Sequence, residues 1–132
     1  MGGGRLAGTW DAVVQVRNCD TGAAVGTTFA SIANFNQGGT SVGSTSGRPQ
    51  ASRTPEHGIW RHVGGNTYRF KFKSFNFDGA GQATGYSIIE HDIYLNEAAD
   101  GYYSEGTARH FLLNGTQVGA GCSDAIGTRM DF

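Results

Sequence analysis

The residues of this 132-residue chain whose types and spacing could do chemistry are four histidines, two cysteines and the run Ile89-Glu90-His91-Asp92-Ile93-Tyr94-Leu95. In an extended strand side chains alternate, so Tyr86, Ile88, Glu90, Asp92 and Tyr94 share one face and Ser87, Ile89, His91, Ile93 and Leu95 the other. If Glu90 and Asp92 point into an enclosed interior beside Tyr94, one of two buried like charges holds its proton and can serve as a general acid. If the other face points inward, His91 lines the interior and, with His62 and Tyr68, supplies acid and base. The apolar character of Ile89, Ile93 and Leu95, and the cost of burying two ionised carboxylates, favour His91 inside. The turn after Phe77 decides between them. A five-residue loop over 78–82 pairs Phe77 with Ala83 and puts Glu90 on the face of Phe70 and Phe72; a four-residue loop ending at Gly81 pairs Phe77 with Gln82 and puts His91 there instead. A third arrangement leaves these polar groups in water at a rim.

Other chemistries find little support. His57 and His62 are an odd number of residues apart and fall on opposite faces of one strand. Pairing Leu95 with Tyr102 puts His91 and His110 on one side but about 13 Å apart by strand rise, too far for one metal ion. The cysteine spacing fits no metal motif, and Gly79-Ala80-Gly81 is a turn with no helix after it, so neither metal nor cofactor is expected. Glu105 and Arg109 share a face and read as an exposed charge pair worth little. On the opposite face Ser104, Gly106, Ala108, His110 and Leu112 suggest room for a ligand or a large neighbour. Asn114-Gly115 signals a type I′ hairpin, which explains Asn114-Gly115-Thr116 without glycosylation.

The elements that position these residues are strands. With 22 Gly, 2 Pro and aromatics in short alternating runs, the composition suits many strands joined by tight turns. Eight runs meet the pattern, at 9–18, 27–35, 40–46, 58–63, 67–77, 83–95, 102–113 and 117–130. In the first, Trp10, Ala12, Val14 and Val16 oppose Asp11, Gln15 and Arg17; in the fifth, Tyr68, Phe70 and Phe72 oppose Arg69, Lys71 and Lys73. The segment 47–56 carries both prolines and no periodicity, as a loop over a barrel mouth would. Near-balanced charge, 10 Lys+Arg against 11 Asp+Glu, argues against a nucleic-acid partner, and no apolar run reaches the roughly 20 residues of a membrane span. Residues 1–5, opening Met1-Gly2-Gly3-Gly4, read as an expression remnant, and 6–132 as one β-domain.

Eight antiparallel strands leave two unpaired edges unless the first and last pair, which gives a closed eight-stranded up-and-down barrel. With Trp10 opposite Arg129, Cys19 falls opposite position 120, within two residues of Cys122, so a disulfide and a secreted or periplasmic location are expected. Leu6-Ala7-Gly8-Thr9-Trp10 resembles the Gly-x-Trp opening of the calycin superfamily, the lipocalin-like barrels. That resemblance implies that Arg129 packs over Trp10 and plugs one end. Through His57-Gly58-Ile59-Trp60, Gly65-Asn66-Thr67-Tyr68, Gly121-Cys122 and Gly127-Thr128-Arg129, nearly the whole chain is similar to small secreted bacterial lipocalin-like proteins of undefined function. It lacks the helix and mid-chain motif of the longer lipocalins, and its two tryptophans are too few for a biotin site of the avidin kind.

The expected function is binding of a small, mainly apolar molecule by a monomer or small homo-oligomer. Phe35, Trp60, Tyr68, Phe70, Phe72, Ile93 and His110 form the wall and 47–56 a flap. The alternatives are a cofactor-free barrel enzyme of the cyclase, isomerase or hydratase type, using His91, His62 and Tyr68 or Glu90 and Asp92, and a structural or partner-binding module with a filled core.

Overall fold

The structure, a computed structural model, describes residues 4–132; the first three residues of the expected remnant lie outside it. Eight strands follow in chain order: β1 (Gly8–Arg17), β2 (Ala24–Phe35), β3 (Thr40–Thr45), β4 (Glu56–Gly64), β5 (Thr67–Phe77), β6 (Ala83–Leu95), β7 (Gly101–Leu112) and β8 (Gln117–Arg129). Each pairs antiparallel with the next, and β8 returns to β1, so the barrel is closed. The closing register places Trp10 opposite Arg129, as the two ends of the sequence require. The same ladder runs to Arg17 opposite Cys122, and just beyond it Cys19 and Cys122 form the disulfide, with their Cα atoms 5.2 Å apart.

One end of the barrel is packed solid. Trp10 is 0% exposed, its indole Nε1 donates to the Leu6 carbonyl at 2.9 Å, and it packs on the Tyr102 ring. The Arg129 guanidinium lies 4.5 Å from the Trp10 ring centroid and donates to the carbonyls of Ala99 (2.7 Å), Ala7 (2.7 Å) and Arg5 (2.6 Å). Ala99 holds a left-handed φ of 59°, which aims its carbonyl at Arg129; strain of this kind persists only where surrounding contacts over-determine it. Leu6, Trp60, Tyr68, Ile93 and Leu95 complete this end. Arg5 also donates to Asn66 Oδ1 at 2.8 Å, so residue 5 contacts the barrel.

The opposite end is open and carries the disulfide and the loop between β3 and β4. That loop runs over 46–55, one residue earlier than expected, because β3 ends at Thr45 and β4 begins at Glu56, and it contains a 3₁₀ turn, Gln50–Ser52, and an isolated bridge from Arg53 to Asn76. Two turns differ from expectation. The hairpin after Leu112 is not type I′: three residues separate Leu112 from Thr116, with only Gly115 left-handed (φ 91°), and the Asn114 side chain instead accepts the Thr116 N–H at 2.9 Å. The turn after Phe77 matters more. Phe77 does pair with Ala83, the option expected to bring Glu90 inside, but Thr84 is then an extra residue and Asn76 pairs with Gly85. This β-bulge reverses the face of everything beyond it, so Phe72 lies opposite Ile89 and Phe70 opposite His91.

Candidate functional site

A cavity of about 460 Å³ occupies the upper barrel above the packed end. It exists because the inward faces of the strands are unequal. Ala108, Ala120, Ala125, Ala12 and Ala33 line β7, β8, β1 and part of β2, whereas Phe70, Phe72, Phe29 and Phe35 line β5 and the rest of β2. Small side chains on one sector leave space that the aromatic sector cannot fill. Gly106 adds no such room. A Cβ there would run into the Glu90 carbonyl oxygen and lie 2.8 Å from the His91 Cα, so glycine is needed because β6 presses on it.

The expected wall residues divide between two places. Phe35, Phe70, Phe72 and His110 line the cavity. Trp60, Tyr68 and Ile93 do not; they lie in the packed cluster beneath it with Leu6 and Trp10, because their strand positions are nearer the plugged end. The Trp60 indole there donates to the Asn36 carbonyl at 2.9 Å.

Among the groups considered for catalysis only His91 lines the cavity. Glu90 and Asp92 point outward, a correction that follows from the Thr84 bulge: Arg109 donates to Glu90 at 2.9 Å with Lys71 at 3.8 Å, and Arg69 donates to Asp92 at 2.8 Å. Arg109 therefore pairs with Glu90, and Glu105, expected as its partner, accepts from the Tyr103 hydroxyl at 3.2 Å. His62 faces inward in register but sits exposed at the β4–β5 hairpin, its ring tilted against that of Tyr68 and bonded to the Gly65 carbonyl at 2.7 Å. Tyr68 is fully buried, and its hydroxyl has no hydrogen-bond partner among the described residues. His62, Tyr68 and His91 thus do not meet around one substrate position.

His91 is 4% exposed and bonded at both ring nitrogens, Nδ1 to Ser104 Oγ and Nε2 to Ser123 Oγ, each at 2.9 Å. A neutral imidazole has one N–H, so one serine accepts and the other donates. Burial lowers its pKa to about 4, against the opposing pull of Asp124 and Asp92. The ring is therefore a neutral polar post, and Ser123 beside it presents a hydroxyl to the cavity. His91 is protonated more readily in the unfolded chain than in the native one. Its contribution to stability is complete above pH 6.5 and is lost as pH falls from 6.5 toward 4. The loss amounts to about 3 kcal/mol, since each tenfold difference in proton affinity between the two states is worth about 1.4 kcal/mol. His110, also lowered by burial and by Arg48 and Arg53, acts in the same direction. Denaturant melts at pH 7, 5.5 and 4 are expected to show this loss in the natural chain and a shallower slope in His91→Gln; equal slopes would remove His91 as the cause.

The mouth holds a polar group that periodicity does not mark. Arg53 and Glu56 have side chains only 10% and 9% exposed, and both line the cavity with Arg48 and His110. Arg53 Nε donates to Ser74 Oγ at 2.8 Å, and His110 Nδ1 meets Ser87 Oγ at 2.7 Å. Burial lowers the Arg53 pKa, opposed by Glu56 and aided by Arg48, and burial raises that of Glu56. In the sequence Arg53 and Glu56 belong to an aperiodic, proline-bearing stretch that reads as solvated loop. The Arg53 bridge to β5 and the early start of β4 turn them inward. Among the described residues no cluster of histidine, cysteine and carboxylate could hold a metal ion, and no helix is long and apolar enough to cross a membrane.

No protein-family model matches the chain, and no curated protein matches it significantly in sequence.

Proposed function

We propose that this barrel is of the calycin kind, works outside the cytoplasm, and binds one small, mainly apolar molecule in its cavity. The observation that carries this is the cavity itself, about 460 Å³ and walled by Phe29, Phe70, Phe72, Ile89, Val14 and a row of alanines. A space of this size falls within the range typical of small-molecule sites, and its apolar wall with a few convergent polar groups is their usual make-up. The Cys19–Cys122 disulfide suits an oxidising compartment. Binding is favoured over proton-transfer catalysis because His91, in the cavity wall, is held neutral with both nitrogens occupied.

Fluorescence titration with the neutral dye N-phenyl-1-naphthylamine tests the proposal. The expected result is saturable binding at one dye per chain, weakened by roughly tenfold or more in Ala108→Phe, whose added ring would occupy the space facing Ile89. Unsaturable binding, or binding indifferent to Ala108→Phe, would place the dye on the outer surface and overturn the proposal.

A further inference from the structure

The charges at the open end are unbalanced in a way that specifies more than an apolar ligand. Arg53 is nine-tenths buried, yet its bond to Ser74 uses one guanidinium N–H and its approach to Glu56, 3.8 Å, is too long for a hydrogen bond. Among the described residues its side chain makes no other hydrogen bond, and the residue lines the cavity. His110 engages Ser87 through Nδ1 and leaves Nε2 without a partner there. Arg48, on the same loop, lines the same mouth with no carboxylate in ion-pair range among the described residues. Two guanidinium groups and an imidazole thus surround one carboxylate, which pairs with Arg53 and leaves the charge of Arg48 without a counterpart at the mouth among the described residues. A guanidinium held in a recess with unused donors is a ready site for an oxyanion, which can take them in a fork.

Resting on the binding role proposed above, we propose that the bound molecule is an amphipathic monoanion, its oxyanion head at the mouth on Arg53, Arg48 and His110 and its apolar body below, against Phe70 and Phe72. An oxyanion would take the open edge of the Arg53 fork in charge-assisted hydrogen bonds, which are stronger than neutral ones. Glu56 at the same rim sets the charge at one, since a doubly charged head would face its carboxylate.

The test compares two dyes of one ring skeleton, neutral N-phenyl-1-naphthylamine and 8-anilinonaphthalene-1-sulfonate, each titrated into the full chain. The sulfonate is expected to bind about tenfold or more tighter, the worth of one hydrogen bond to a charged group. That ratio should collapse toward unity in Arg53→Gln/Glu56→Gln, which removes both members of the buried pair and orphans neither, and should fall several-fold in Arg48→Gln. Arg48 is exposed and its side chain makes no hydrogen bond or ion pair among the described residues, so its variant decides the matter if the double variant fails to fold. Ala108→Phe should weaken both dyes. Equal affinities in the natural chain, or a ratio unmoved by both arginine variants, would overturn the anionic head while leaving apolar binding intact. Failure of both dyes to bind would overturn the two proposals together.

Discussion

Replacing Cys19 and Cys122 together by alanine is expected to lower the unfolding free energy by about 4 kcal/mol. The bridge joins residues 103 apart, and the loop-entropy relation gives about 4.7 kcal/mol for a closure near 100 residues, from which residual structure in the unfolded chain subtracts. The effect is large because β1 and β8 are the two termini of the meander. Without the bridge their pairing must be won against the freedom of nearly the whole chain. Guanidinium titration of the natural and double-alanine proteins measures it, and dithiothreitol should shift the natural protein to the variant's midpoint while leaving the variant unmoved. Coincident midpoints would show that the β1–β8 ladder closes the barrel without the bridge.

Trp10→Ala should cost about 3–5 kcal/mol, as a large aromatic removed from a tightly packed site leaves a hole its neighbours cannot close. Arg129→Ala is expected to cost a comparable amount for a different reason. It strips the donors from three backbone carbonyls, of Ala99, Ala7 and Arg5, at about 1–3 kcal/mol for each acceptor left buried and unpaired, less where water reaches it. The two side chains touch, so the double variant should be less destabilised than the sum of the singles by about 1 kcal/mol, the worth of the cation–π contact and the packing that depends on it. Urea unfolding of all four proteins gives the coupling. Strict additivity would mean that Arg129 and Trp10 hold the end of the barrel independently.

Much of this architecture is legible in the order of residues alone, for identifiable reasons. Alternation over 67–77 makes Tyr68, Phe70 and Phe72 inward and Arg69, Lys71 and Lys73 outward whatever the strand's neighbours are, because the period of a strand is local. Closure is readable because the register that pairs Trp10 with Arg129 brings Cys19 opposite position 120, within two residues of Cys122, so that the two pairs point to the same meeting of the first and last strands. The division of the aromatic residues between cavity and packed end is not readable. Trp60, Tyr68 and Ile93 carry the same inward parity as Phe70 and Phe72, and depth along the barrel depends on strand stagger, which no single strand encodes.

The sequence by itself determined that the chain makes eight antiparallel strands, that the first and last meet, and which side chains within each strand share a face, since these follow from alternation and turn chemistry. Only the tertiary structure decided which face of β6 is inside. The loop that pairs Phe77 with Ala83 would by turn length alone have buried Glu90, and the extra residue Thr84 restores His91 to the interior. A bulge is settled by how two twisted strands fit a closing barrel, with the desolvation of two carboxylates at stake. The same holds for Arg53 and Glu56. Their charges became part of the cavity when an irregular loop bridged to Asn76 and folded over the mouth, a contact between Arg53 and a residue well beyond its own loop that local pattern does not carry.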